Sequence, residues 1–463
     1  MNLDHLKIEI LSDGVLSRLS NLAKEKNVSI FLVGGYIRDL FLGIHRKDYD
    51  FTLPKEGSSF IPVMEEALRF HFFKIGKEEI HPLTYRMVKN EISVDLTLFQ
   101  GNTIEEDLGK RDFTVNAMAF SLRDETFHFV ERALEDIERR VIRAVSIHSI
   151  DQDPLRMLRA FRYLCTLDGF LIDRGLEEEI SLKKETIAKV PGERIKMELD
   201  QILLSPRPEM GIKFLYGSGL LFSLMPESKD LENLGQNEHH HLDALSHTLL
   251  MVDEIPWALN WVAQKGRGIS LSQENRLCLY YAALFHDMGK QDTYSKDENG
   301  RVHFYHHEAF SCQRADGVME RLRFSNPTRD KILRLVRHHM RILNLSPETK
   351  ETALKRLVNE MGEESSLLVL HTLADKEASR GILSIQIDEV VEGHCLRILD
   401  LTKEKEIVHP PPLITGHDVM SLGYASGPAV GKILSFIRGK QIEGEIKTRE
   451  DALKVLREKF ALN

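Results

Sequence analysis

The 463-residue sequence has only four cysteines, and they lie far apart, at Cys165, Cys278, Cys312 and Cys395. This spacing excludes a cysteine-based zinc site and favours a reducing cytoplasm. No stretch comes near the ~18 uninterrupted apolar residues that a membrane helix needs. The first ten residues alternate charged and apolar side chains and lack the apolar core of a signal peptide. We therefore expect a cytoplasmic protein without a membrane partner.

The sequence also has no excess of positive charge. Its 62 Lys and Arg residues against 71 Asp and Glu residues give a net charge of −9, so any nucleic-acid binding must come from a local basic surface. Hydrophobic residues make up 42% and charged residues 29%, which is typical of a folded globular protein. The length predicts two to four domains.

Four regions differ in their sequence patterns. Residues 1–145 mix short β-rich runs with helical segments, which indicates an α/β or α+β domain, and we predict the α+β class. Residues 146–235 are predicted to be helical, and residues 236–380 are helical and rich in histidine. Residues 381–463 contain a run of prolines and end with an amphipathic helix over about 449–460.

A glycine turn and a pair of acids are the first candidate site. Gly34 and Gly35 follow an apolar strand, and residues without side chains let backbone N–H groups approach a phosphate. Further along, Asp48 and Asp50 would share one face of a strand, because strand side chains alternate. Two neighbouring carboxylates repel each other unless a cation lies between them, so the pair indicates a divalent metal. A lone pair of this kind is more often a solvated strand edge.

A third carboxylate favours the metal interpretation. Asp95 lies in another apolar strand, and three acids on one face can hold magnesium ions that activate a hydroxyl and clamp a triphosphate. Arg111 opens the next motif, Arg-Asp-Phe-Thr-x-Asn-Ala, and its guanidinium can bind a phosphate through two hydrogen bonds.

In this order, the motifs resemble the head of the class II tRNA nucleotidyltransferases and bacterial poly(A) polymerases. The resemblance rests on Gly-Gly-x-x-Arg-Asp at 34–39, Asp-x-Asp at 48–50 and Arg-Asp-Phe-Thr-x-Asn-Ala at 111–117. It implies a head built around a sheet like that of DNA polymerase β. It also implies that Asp48, Asp50 and Asp95 are catalytic acids holding Mg²⁺, and that the nucleotide is bound by Gly34, Gly35, Arg38 and Arg111.

An arginine-rich helix is predicted after the head. Asp153 can cap its start and Pro154 suits its first turn. Arg156, Arg159 and Arg162 recur every three residues, so they share one side of the helix. Such a side is often no more than a solvated cationic face. The stretch from 139 to 162, however, has six Arg and two Asp, and this excess favours contact with phosphate or RNA.

This segment resembles the family's Glu-Asp-x-x-Arg motif, with Gln152 in place of the glutamate. The resemblance implies that Asp153 and Arg156 read the incoming base, while Arg159 and Arg162 support the pocket. An Asp–Arg pair of this kind suits cytosine and adenine, because both bases offer an exocyclic amino group beside a ring acceptor.

Histidines provide a second candidate metal site. His247, the adjacent His286 and Asp287, and Asp375 occur in the order H…HD…D. A single histidine of this kind is more often a surface or core residue, but nitrogen and carboxylate ligands together suit a transition metal. The set resembles the HD-domain phosphohydrolases, and HD-bearing bacterial tRNA nucleotidyltransferases form a known subgroup. The resemblance implies a second divalent metal of unknown identity and phosphohydrolase activity. Further ligands are predicted at His306 and His338.

The resemblance assigns a role to each region. Residues 1–145 would be the nucleotidyltransferase head, and residues 146–235 a helical neck and body that binds RNA and carries the base-selecting helix. Residues 236–380 would be the HD domain, and residues 381–463 a helical tail in contact with tRNA. The predicted function is template-independent addition of cytidine, adenosine or both to the 3′ end of tRNA, from CTP and ATP with release of pyrophosphate.

Two alternative functions remain open. Bacterial poly(A) polymerases carry an arginine-rich segment after the Asp-x-Asp motif, and residues 73–81 lack it. A metal-dependent phosphohydrolase with an RNA-binding head is the other alternative. The paired acids Asp48 and Asp50 argue against it, because a head that only binds RNA has no need of them.

The extent of nucleotide addition is predicted from one loop. In the family, a flexible loop before the Arg-Asp-Phe-Thr motif helps the pocket switch from CTP to ATP, and members that add only two cytidines have a shortened loop. Here about four residues, 100–103, are left for it, which is short for a mobile lid. This favours CC addition over addition of the whole CCA.

Overall fold

The computed structural model describes residues 2–75, 84–89, 92–236, 242–379, 385–408 and 410–460. Two compact units are present. The first comprises residues 1–190 with 217–220, and the second comprises residues 191–216 with 221–463. The division therefore falls inside the region 146–235 that the sequence pattern groups together.

The first unit contains both helices and strands. Its described helices are α1 (Leu3–Ser12), α2 (Gly14–Glu25), α3 (Gly35–Phe41), α4 (Ile61–Leu68), α5 (Ile104–Leu108), α6 (Ala133–Glu138), α7 (Ser149–Gln152), α8 (Arg156–Thr166) and α9 (Arg174–Lys183). Its described strands are β1 (Phe31–Val33), β2 (Asp48–Leu53), β3 (Phe73–Ile75), β4 (Thr84–Lys89), β5 (Ile92–Leu98), β6 (Met118–Ser121), β7 (Phe127–Phe129), β8 (Val141–Ile142) and β9 (Leu171–Ile172). The predicted α+β class of the head is confirmed.

Among the described residues, seven strands form one mixed sheet in the order β3-β4-β5-β2-β1-β6-β7. Strands β2 and β5 are parallel, and their register pairs Asp50 with Asp95. Strand β4 runs antiparallel to β5 and pairs Arg86 with Asp95. In β2, Tyr49 and Phe51 are buried while the alternate acids are exposed, as the period of two predicts. The register thus brings acids from two strands together on one face.

The arginine-rich helix begins later than the sequence predicts. The regular α-helix α8 starts at Arg156, with Leu155 at its N-cap position. The chain enters it through two tight turns, in which Arg156 N donates to Asp153 O and Met157 N donates to Pro154 O. Asp153 has an extended backbone, and its carboxylate accepts a hydrogen bond from Leu155 N at 3.2 Å. Asp153 therefore makes the predicted capping contact, at the turn that leads into the helix.

From residue 192 onwards, the described elements are helices apart from one hairpin, β10 (Tyr294–Lys296) and β11 (Val302–Phe304). The helices are α10 (Gly192–Leu203), α11 (Pro208–Gly217), α12 (Leu220–Leu224), α13 (Ala244–Gln264), α14 (Gln273–Phe285), α15 (His307–Arg321), α16 (Asn326–His338), α17 (Met340–Leu343), α18 (Glu351–Met361), α19 (Ser365–Ala378), α20 (Ile385–Leu401), α21 (Lys405–Val408), α22 (Gly416–Met420), α23 (Pro428–Ile442) and α24 (Arg449–Phe460). Helix α24 matches the amphipathic helix predicted over 449–460.

The core of the second unit forms around α19, which packs along α13 and also contacts α14 and α16. Helix α19 is buried on nearly all sides, so its polar residues face other side chains rather than water. A further apolar cluster, with Val419, Ile437 and Leu456 in it, joins α22, α23 and α24. None of the described helices is both long and apolar enough to cross a membrane.

Candidate active site and metal centre

A pocket of about 290 Å³ lies on the acid-bearing face of the mixed sheet. Seven residues predicted from the sequence line it: Gly34, Gly35, Asp50, Asp95, Arg111, Arg156 and Arg159. Four others, Arg38, Asp48, Asp153 and Arg162, are not among the described lining residues. The sequence reasoning did not single out further lining residues, which include Gln100, Asp107, Lys110, Asp112, Asn116 and Tyr163.

The turn after β1 requires glycine at position 34. Gly34 has a φ of +72°, in the left-handed region that favours glycine. A Cβ atom there would lie 3.3 Å from Arg111 Nη1 and 3.7 Å from Asp50 Oδ2. The missing side chain therefore lets a cation and an anion approach the end of the strand from opposite elements.

The acids on the sheet face are crowded. The pKa of Asp50 is raised to about 6, first because surrounding protein atoms limit its hydration and second because Asp95 is negatively charged. Arg86 holds Asp95 through two hydrogen bonds, of 2.6 Å from Nε and 2.5 Å from Nη2. Carboxylates on an open face are the ligands that Mg²⁺ prefers, so the donor set fits this ion.

Arg38 is buried instead of facing the pocket. Its guanidinium donates to Asn116 Oδ1 at 2.6 Å and pairs with Asp39 at 2.7 Å. It also lies 5.1 Å from the ring centre of Tyr163. These contacts indicate that Arg38 braces the glycine turn and the segment around Asn116.

The arginines of α8 bind the Arg-Asp-Phe-Thr segment. Arg156 donates to Lys110 O at 2.6 Å and to Ser149 Oγ at 2.8 Å. Arg159 pairs with Asp112 at 2.8 Å. Burial would raise the pKa of Asp112. The charge of Arg159 and the hydrogen bonds that Asp112 accepts from Asn116 and the Phe113 backbone lower this pKa overall. Arg162 lies 4.5 Å from the ring centre of Tyr163. The helix thereby fixes one wall of the pocket.

The second candidate site is a buried cluster in the second unit. Among the described residues, metal-ligand atoms within 4.8 Å of one another form two groups, and both are here. One group is His247, His286 and Asp375, and the other is Asp287, His307 and His339. Asp287 links the groups, because its Oδ2 lies 3.1 Å from His286 Nε2 and its Oδ1 lies 3.3 Å from His307 Nε2.

Three of these histidines are oriented by the backbone. The Nδ1 atoms of His286, His307 and His339 lie 2.7–2.9 Å from the carbonyl oxygens of Ala283, Phe304 and Val336 respectively. An N–H donated to a carbonyl fixes the tautomer in which Nε2 carries a lone pair. All three Nε2 atoms therefore suit metal ligation, as is usual for metal-binding histidines.

Charge and close packing complete this cluster. Lys290 lies 2.7 Å from Asp287 Oδ2. Although burial would raise the pKa of Asp287, the charges of His286 and Lys290 lower it well below its usual value. Gly289 lets the segment that carries His286 and Asp287 approach α15, since a Cβ atom at position 289 would lie 2.5 Å from His307 O. The donor set of histidine nitrogens and carboxylates fits a transition metal.

Two ligands predicted from the sequence are wrong by one residue each. His306 is exposed and His338 faces Glu360, whereas the buried neighbours are His307 and His339. Helical phase explains the difference, because His339 continues the buried series Ile332, Leu335 and Val336 of α16. The same criterion selects His307, which shares the buried side of α15. His371, one turn before Asp375 on α19, is a further buried histidine beside His286.

Comparison with known proteins matches the two regions that carry the candidate sites to known families. Residues 30–143 match the family described as poly A polymerase head domain, and residues 240–378 match the HD domain. Residues 169–231 match the probable RNA and SrmB-binding site of polymerase A. The chain thus combines a polymerase-A-type nucleotidyltransferase head with an HD domain.

Two curated relatives extend over nearly the whole chain. A CC-adding tRNA nucleotidyltransferase of Thermus thermophilus is 34% identical over 435 residues, which is 91% of this chain and 92% of the relative. An A-adding tRNA nucleotidyltransferase of Deinococcus radiodurans is 29% identical over 430 residues, covering 91% and 93%. The chain therefore belongs to the class II tRNA nucleotidyltransferase family, in the form that carries an HD domain. The solved apo structure of a CCA-adding enzyme shares the fold, with a TM-score of 0.66 at 19% identity over 100% of this chain and 98% of that one.

Proposed function

We propose that this protein adds nucleotides to the 3′ end of tRNA from CTP or ATP and releases pyrophosphate, without a nucleic-acid template. The observation that carries the proposal is the juxtaposition of Asp50 and Asp95 with Arg111 around one pocket. Asp48, Asp50 and Asp95 would hold Mg²⁺, which supplies charge neutralisation for the triphosphate and activation of the attacking hydroxyl.

The remaining roles follow from the contacts. Arg111 would bind the triphosphate, and the glycine turn at Gly34 and Gly35 would offer backbone N–H groups to it. Asp153 and Arg156 would select the base, with Arg159 and Arg162 supporting that wall. Because Arg156 is hydrogen-bonded to Lys110 O and Ser149 Oγ, it is already fixed in position. The tRNA would be held mainly through backbone charge and shape by the helical regions, including the tail.

Within this activity, we favour CC addition over addition of the whole CCA. Residues 99–103 connect β5 to α5, and the described contacts tie this loop down. Gln100 N donates to Asp107 at 2.9 Å, and Asn102 N donates to Glu106 at 2.8 Å. A loop fixed at both positions is poorly suited to the CTP-to-ATP switch described for the family.

The deciding assay offers two tRNA substrates, one without CCA and one ending in CC, each with labelled CTP and labelled ATP. The proposal expects two cytidines on the first substrate and negligible AMP on the second. Efficient AMP addition to the CC-ended tRNA would overturn the CC preference and leave tRNA nucleotide addition standing. Long adenosine tails on unrelated RNA would instead indicate a poly(A) polymerase. The sequence argument against that alternative rests on 73–81, of which 76–81 lie outside the described residues.

A second activity, phosphohydrolysis in the HD domain, is favoured by the orientation of His286, His307 and His339. Their Nε2 atoms, together with Asp287, Asp375 and His247, would hold a divalent transition metal. Such a metal would supply activation of water for hydrolysis of a phosphate ester. The test is hydrolysis of p-nitrophenyl phosphate and its bis-ester after loading with Mn²⁺ or Ni²⁺. Loss of both hydrolyses in His286→Ala supports the activity, and equal rates in parent and variant contradict it.

A further inference from the structure

Arg86 is the closest cation to a candidate magnesium ligand in the described part of the head. Its Nε and Nη2 atoms lie 2.6 and 2.5 Å from the two carboxylate oxygens of Asp95. Strand register makes this contact direct, because β4 and β5 place the two residues opposite each other on the same face. Each carboxylate oxygen of Asp95 therefore accepts a hydrogen bond from a positively charged group at the place where a metal would bind.

The same register brings Asp95 beside Asp50 on the neighbouring strand β2. Two carboxylates at this separation repel each other when no cation is present. Arg111 lies near Asp50 beside the glycine turn and pairs with Asp107 at 3.1 Å, whereas Arg86 pairs directly with Asp95. Among these contacts, Arg86 is the cation bound directly to a candidate metal ligand.

Arg86 is able to leave this position. Its side chain is 45% exposed, whereas that of Asp95 is 22% exposed. A pair at this exposure is held by a modest free energy, because water competes for both partners. The other arginines at the pocket wall lack this freedom, since Arg156 and Arg159 are anchored to Lys110 O and Asp112.

We propose that Arg86 occupies the place of the divalent cation at Asp95 in the metal-free head, and that it must release the carboxylate for the cation to bind. The inference rests on the proposed function, in which Asp48, Asp50 and Asp95 hold Mg²⁺. Arg86 is accordingly a positioning residue: it keeps Asp95 on the catalytic face and lowers the apparent affinity of the head for metal.

The test measures Mn²⁺ binding to the full chain by electron paramagnetic resonance, without tRNA or nucleotide. An Asp50→Asn variant serves as the blank that defines which bound ions belong to the head rather than to the HD domain. Arg86→Gln is expected to lower the Kd of the head for Mn²⁺ by up to about fivefold, the factor that corresponds to ~1 kcal/mol for a partly exposed ion pair. Lys89→Gln, an exposed cation on the same strand, is the matched control and should leave the Kd unchanged.

An unchanged or raised Kd in Arg86→Gln would overturn the proposal, because the arginine would then assist the metal rather than replace it. Arg86→Lys provides a second check if the glutamine variant unfolds, and its Kd should lie between those of the parent and Arg86→Gln. If the parent binds no more Mn²⁺ than Asp50→Asn, the proposed metal site of the head is itself contradicted. Loss of tRNA addition alone would leave the binding comparison valid.

Discussion

The two candidate sites of this chain are built in opposite ways. In the head, acids lie on an open sheet face beside arginines. Arg86 donates one hydrogen bond to each carboxylate oxygen of Asp95. In the HD domain, histidines and acids are buried together, and backbone carbonyls orient His286, His307 and His339 before any metal arrives. The head is thus suited to an exchangeable ion that comes with the nucleotide, and the HD cluster to an ion that is retained.

Ligand chemistry supports this contrast. Magnesium keeps several waters and is usually bound by a few carboxylates together with substrate phosphates. Imidazole and carboxylate ligands in a preformed cage bind transition metals more tightly, and ordered outer contacts increase that affinity. In the proposed function, the head would use its ion transiently and the HD domain would retain its ion, so one chain would carry two kinds of metal site.

The strongest test of the contrast is Asp50→Asn. Losing one ligand of the exchangeable site should lower nucleotide addition by about three orders of magnitude, equivalent to about 4 kcal/mol of transition-state stabilisation. Single-turnover transfer of labelled CTP to tRNA lacking CCA measures this. Glu66→Gln, an exposed acid on α4, is the control. Near-parent transfer in Asp50→Asn, with the same result for Asp48→Asn, would rule out the assignment of these acids.

The complementary test is Asp287→Ala in the HD cluster. Because Asp287 contacts both ligand groups, its loss should lower the affinity for Mn²⁺ or Ni²⁺ by about 100-fold or more and should spare nucleotide addition. Metal content after dialysis provides the readout. His306→Ala and His338→Ala are matched controls, since each removes a histidine adjacent to a buried one. Retained metal in Asp287→Ala would argue against the cluster as a metal centre.

A smaller effect is expected for base selection in the head. Asp153→Ala should weaken the preference for CTP over UTP by about 1–3 kcal/mol, if its carboxylate reads the base amino group. Competition between the two nucleotides at fixed tRNA measures this. Asp151→Ala, which removes an exposed acid paired with Lys183, is the control. A variant that loses thermal stability but keeps its selectivity would contradict a role for Asp153 in reading the base.

The smallest effect concerns pH. The pKa of Asp50 is raised to about 6, so Asp50 is protonated in half of the molecules at pH 6. Protons then compete with the metal for this carboxylate. The affinity of the head for Mn²⁺ should therefore fall about twofold between pH 7.5 and 6. Asp375 has a lowered pKa and stays ionised across this range, because contacts with His247 and His286 outweigh its burial. An affinity of the parent head for Mn²⁺ that stays constant between pH 7.5 and 6 would contradict this account.

The sequence allowed prediction of those features of the head that depend on local pattern. The period of two in β2 placed Asp48 and Asp50 opposite Tyr49 and Phe51, and the structure confirms that alternation. The terminal helix over 449–460 was also predictable, because apolar spacing alone defines it. Both features require no knowledge of which elements meet.

Features that depend on pairing between distant segments were not predictable in this way. The contact between Arg86 and Asp95 depends on the register of β4 against β5, which no spacing in the sequence predicts. The regular helix α8 starts at Arg156, after two tight turns that the spacing does not predict, whereas Asp153 caps that entry as predicted. For His307 and His339, the signal was present in the helical phase, and adjacent histidine pairs concealed it.

The parallel pairing of β2 with β5 has a consequence for folding fidelity. A slip of β2 by one residue would turn Asp48 and Asp50 into the core and expose Tyr49 and Phe51, which are now buried. Burying two carboxylates without partners costs far more free energy than the contacts of the slipped register could return. The acids proposed for catalysis thus also keep the growing sheet in register. Variants with valine at both positions would be expected to misalign and aggregate more readily during refolding, whatever their final stability.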